Sequence, residues 1–146
     1  MRPFRFRLEK VLSWREAQLA MEEADLERLR SDLHSIEAAI DALTLRDEAA
    51  TERMRRMRSA SGSEIADIAR RHDWVLQEEK TLRSRVAECG RKIEQRTAAI
   101  TEARRKVELL ERMKDRRKQV WDAESDLELE QLAGESAIGA WRRADR

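Results

Sequence analysis

The chain has 146 residues, 42% of them charged and only 4% aromatic, with one Pro, four Gly, one Cys and a formal net charge of +1. So few aromatics and turn formers exclude an ordinary globular core, since compact domains place Gly and Pro at their turns. Long helices and disorder remain, and hydrophobic periodicity decides between them.

The opening "MRPFRFRLEK" is basic and carries no signal-peptide pattern, and no apolar run reaches transmembrane length. A soluble cytoplasmic protein is expected. From Leu8 a track runs at alternating steps of four and three through Leu12, Arg15, Leu19, Glu22, Leu26, Leu29, Leu33, Ile36, Ile40, Leu43, Asp47, Ala50 and Met54 to Met57. Twelve of these fifteen positions are apolar. Disordered polar sequence does not hold such a heptad register, so the first third reads as a coiled-coil helix over about residues 5–58.

The register breaks at "SASGS", residues 59–63. Gly62 suits a left-handed helix end, and "SGSE" matches a capping box between Ser61 and Glu64. A second helix is expected over about residues 64–138. Its track runs through Ile65, Ile68, His72, Val75, Glu79, Leu82, Val86, Cys89, Ile93, Arg96, Ile100, Ala103 and Val107 to Leu110, and eleven of the fourteen positions are apolar. After Leu110 the register shifts, and Met113, Val120, Trp121, Leu127 and Leu132 leave the strict steps.

Two long helices joined by a short turn run antiparallel, so the fold class is all-α: a two-helix coiled-coil hairpin, one domain, with a C-terminal helical overhang. Setting Met57 opposite Ile65 makes partner numbers sum to about 122. Each polar seam residue then faces an apolar one: Glu22 meets Ile100, Arg96 meets Leu26, Asp47 meets Val75 and His72 meets Ala50, leaving the charged member to snorkel outward. Met1 lies opposite Trp121, and the residues beyond Trp121 have no partner within the hairpin.

Charge is segregated near that end. Between Arg104 and Lys118 there are eight bases and three acids; from Asp122 to Glu135 there are six acids and no base. The base of the hairpin is therefore a positive collar around Phe4, Phe6, Val120 and Trp121, followed by an acidic extension. Four more arginines, Arg53, Arg55, Arg56 and Arg58, stand before the turn. No aromatic among them stacks a base, so they read as a solvated or protein-contacting tip rather than a nucleic-acid contact.

No glycine-rich phosphate loop, nucleophile elbow or metal-ligand spacing occurs. His34 and His72 stand on different helices and do not meet, and Cys89 reads as a small core residue opposite Leu33. A two-helix coil offers no concave, water-excluding site, so neither enzymatic activity nor a cofactor nor a metal is expected. Trp14 and Trp74 flank the seam, where a Trp either covers the groove edge or docks a partner.

The stretches "FRFRLEKVLSWREAQLAMEEADLERL" and "ARRKVELLERMKDRRKQVWDAESDLELEQLA" resemble the FliJ family of flagellar type III export. The likeness lies in an aromatic-basic F-x-F-x-L-x-x-V-L opening and a basic block followed by an acidic tail. "RHDWVLQEEKTLRSRV" resembles the family's central segment, though it is more charged. The resemblance spans nearly the whole chain. It implies a cytoplasmic stalk, peripheral at the inner face of the membrane through its partners. It also implies three partners: the hexameric flagellar export ATPase, the membrane export gate and export chaperones. Phe4, Arg5, Arg7, Arg112, Lys114, Arg116, Arg117 and Trp121 are the expected contacts to the ATPase ring, and Trp74 and Val75 those to the export gate. Alternatives are the equivalent stalk of a virulence secretion system, a generic coiled-coil scaffold whose seam pairs with another chain, and a nucleic-acid-binding arm.

Overall fold

The computed structural model describes residues 3–144, which form two helices, α1 (Glu9–Arg56, 48 residues) and α2 (Gly62–Ala144, 83 residues). They pack antiparallel as an all-α hairpin. Among the described residues, all eight buried apolar side chains, Leu12, Leu26, Ile40, Val75, Leu82, Cys89, Ile100 and Val107, fall on the two heptad tracks. None of them is fully enclosed, because each seam layer has only two helices to cover it. The chain divides into two compact units, one made by the chain ends up to Ala20 and from Thr101, the other by Met21–Ile100.

In the Met21–Ile100 unit, the turn between the helices is held by the expected capping box. The Ser61 backbone N–H donates to Glu64 Oε2 (2.8 Å) and the Glu64 N–H donates to Ser61 Oγ (3.3 Å). Two orphan donors at the α2 N-terminus are thereby satisfied. Gly62 is not the left-handed stop expected: no described glycine has positive φ, and Gly62 is the first residue of α2. Ser61 ends the turn by capping α2, so no left-handed residue is required. α1 stops at Arg56, two residues earlier than expected, and its Met57 N–H bonds back to the Met54 carbonyl (3.1 Å). The layer expected to join Met57 and Ile65 is open, with both side chains largely exposed.

The antiparallel register is close to that expected. Cys89 is buried and its thiol donates to the Leu29 carbonyl (3.4 Å). One expectation is corrected. The polar seam residues do not stay apart: Arg96 donates to Glu22 (2.6 Å), with Asp25 4.0 Å away, and His72 Nδ1 lies 2.8 Å from Asp47 Oδ2. The paired chains bridge layers four residues apart for Glu22 and Arg96 and three apart for Asp47 and His72, about 4.5–6 Å at 1.5 Å rise per residue. Glu79 instead pairs with Arg83 in its own helix (2.5 Å). The hydrogen bond that Arg96 donates to Glu22, and secondarily the charge of Glu22, raises the Arg96 pKa.

In the unit of the chain ends, Leu12 and Val107 are buried on the seam. Residues 3–8 are not helical, which corrects the expected start at residue 5. In "PFRFRL" half-buried Phe4, Phe6 and Leu8 alternate with exposed Pro3, Arg5 and Arg7, the period of an extended chain rather than of a helix. α1 begins only at Glu9, whose N–H bonds to the Phe6 carbonyl (3.2 Å). α2 continues past the expected 138 to Ala144. No proline interrupts it, and Arg142 and Arg143 suit its last turn; Arg143 Nε also donates to the Gly139 carbonyl (3.1 Å). Ser125 is buried, so coverage reaches one turn beyond Trp121. Met1, expected against Trp121, lies outside the described residues. Among the described residues no helix is long and apolar enough to cross a membrane.

Candidate partner-binding site

The alternation that half-buries Phe4, Phe6 and Leu8 in the segment leading into α1 also builds a groove against α2. Phe4 packs on Trp121 with ring centroids 6.0 Å apart and planes tilted by 56°, within the separation that aromatic pairs favour. The groove is open, about 960 Å³ in volume. Phe4, Phe6, Leu8, Met113, Val120 and Trp121 make its apolar lining, Arg5, Arg7, Arg116 and Arg117 its basic members, and Glu124 its one acid. An apolar floor with a guanidinium rim favours an acidic amphipathic segment: the floor buries its apolar side chains and the rim meets its carboxylates.

Six of the eight residues expected to meet a ring are thus brought together: Phe4, Arg5, Arg7, Arg116, Arg117 and Trp121. Arg112 is exposed on α2 outside this lining. Lys114 has a different task. Its Nζ donates to Glu9 Oε1 (2.9 Å), tying the first turn of α1 to α2. That bond, opposed by desolvation, raises the Lys114 pKa above the ordinary lysine value of 10.5.

Trp74 and Val75, the residues expected to meet the export gate, differ in exposure. Trp74 is 57% exposed, but Val75 is 5% exposed and belongs to the seam. One residue step on a helix turns the side chain by about 100°, which here puts Val75 on the seam and leaves Trp74 beside it. Leu76, also exposed, continues the accessible part of that segment.

Met113 and Glu124 were not expected in the groove. Met113 leaves the strict heptad steps, and that shift was its signal: a residue off the seam faces elsewhere. Glu124 reads in the sequence only as one acid of the tail. No family model, curated protein or solved structure matches the chain.

Proposed function

We propose that the chain is a non-enzymatic adaptor stalk of flagellar type III protein export. Its chain-end groove seats in the ring of the hexameric export ATPase, and it links the ring to the export gate and to export chaperones. The protein then works in the cytoplasm, peripheral to the membrane through these partners. The observation that carries this reading is the arginine-rimmed groove. The F-x-F-x-L segment and basic block that bear the family resemblance are the residues that build it. A ring requires a stalk that seats without locking to one subunit, and exposed charge pairs worth about 0–1 kcal/mol each suit that task. They also steer capture and set orientation.

The test reverses Arg112, Arg116 and Arg117 to Glu and leaves Lys114 in place, because Lys114 holds Glu9. Association with the purified export ATPase should fall, helicity by circular dichroism should not, and added salt should weaken the wild type in the same way. Wild-type affinity with wild-type salt dependence in the reversed protein would sink the proposal.

A further inference from the structure

The end of α2 carries a second seam that the hairpin does not cover. From Leu109 to Trp141, alternating steps of four and three pick out Leu109, Met113, Val120, Leu127 and Trp141, all exposed, from 41% for Met113 to 73% for Trp141. Ala123, Gly134 and Ala137 occupy intervening steps, and only Arg116 and Glu130 on this track are polar. Ten consecutive positions of one register on an exposed face constitute a coiled-coil seam. It runs along the groove, through Met113, Arg116 and Val120.

We infer that this face pairs with the same face of a second copy of the chain, antiparallel, about a two-fold axis near residue 121. Charge selects the occupant. Residues 112–118 hold five bases and one acid, and residues 122–130 hold five acids and no base. A two-fold axis between the blocks lays the basic run of each copy on the acidic run of the other, twice over. Parallel pairing would set like charge on like. In the antiparallel register Val120 meets Ala123, Leu127 meets Arg116, and Met113 meets Glu130, so each layer keeps an apolar member. Leu109 lies over Gly134, where an added methyl would meet nothing within 4 Å and the second helix has room to approach. Arg117 of each copy stands beside Glu124 of the other. The acidic amphipathic segment that suits the groove is thus present on the chain itself. This goes beyond the adaptor reading and stands without it; where both hold, self-pairing and ring seating compete for one groove.

The test is sedimentation equilibrium of the full chain alone, with no ATPase present. Wild type should show a concentration-dependent shift from the 17.2 kDa monomer to a dimer. Leu127→Asp, on the overhang, should weaken the dimer at least tenfold without loss of helicity. Arg116→Glu with Arg117→Glu in one chain, and Glu124→Arg with Asp126→Arg in another, should each weaken self-association. Mixed, the two should form one-to-one heterodimers, because both interfaces then pair opposite charges. A wild type that stays monomeric at the highest soluble concentration, a Leu127→Asp dimer of undiminished affinity, or a mixture that fails to associate would each overturn the inference. Ring binding is measured separately, so failure of self-pairing and failure of the adaptor reading are told apart.

Discussion

Ser61 and Gly62 show how a single position separates two accounts of a turn. A left-handed Gly62 would resist substitution, whereas a Gly62 in the first helical turn with open space around it should accept a side chain. Gly62→Ala is therefore expected to stabilise the chain by about 0.5–1 kcal/mol, through a less flexible unfolded state. Ser61→Ala should cost about 1 kcal/mol by removing the cap. Thermal unfolding reads both, and a destabilised Gly62→Ala would restore the left-handed account. A second neighbouring pair contrasts in the same way. Val75→Ala empties part of a buried layer and should cost about 1–2 kcal/mol. Exposed Trp74→Ala should stay within about 0.5 kcal/mol of wild type, so a loss of export-gate binding there would report contact and not unfolding.

At the scale of elements, the Lys114–Glu9 bond ties α1 to α2 and sets a pH dependence. The folded-state pKa of Lys114 lies above the ordinary 10.5. Its contribution is therefore fully present below that value and fades as the pH rises through the folded one. Helicity lost on titration above pH 10.5 should be greater in wild type than in Glu9→Gln, which lacks the carboxylate; equal alkaline losses would show the tie to be inert. Both helices and their register were legible in the sequence, because a two-helix seam has a single apolar stripe per helix and the turn has one capping signature. The entry to α1 was not. Phe4, Phe6 and Leu8 continue the apolar count into the heptads, but their spacing is two, and an extended segment buries alternate residues. The groove was legible only in part for the same reason: its aromatic and basic members stand out, while Met113 and Glu124 depend on where the extended segment lies. The diagonal pairing of Arg96 with Glu22 and of His72 with Asp47 was equally hidden. A heptad track assigns side chains to layers and says nothing of how far a long one reaches.

For the molecule as a whole, the separation in sequence between paired residues grows steadily from the turn to the chain ends. It is 25 for Asp47 and His72, 74 for Glu22 and Arg96, and 105 for Glu9 and Lys114. Closing the longest of these loops from the open chain costs roughly 1 kcal/mol more entropy than closing the shortest. If the contacts beside the turn are already made, each further layer adds only a short increment. Assembly should therefore begin beside the turn and zip outward. Val75→Ala is expected to slow refolding, while Leu12→Ala and Val107→Ala mainly speed unfolding; stopped-flow chevrons would show the reverse if the ends meet first. The groove of Phe4, Phe6 and Trp121 is then the last feature to appear. Half-zipped chains carry the arginines and the aromatics but not the cleft between them. Possession of the cleft is itself a mark that folding has finished, and whatever docks there selects completed chains without inspecting anything else.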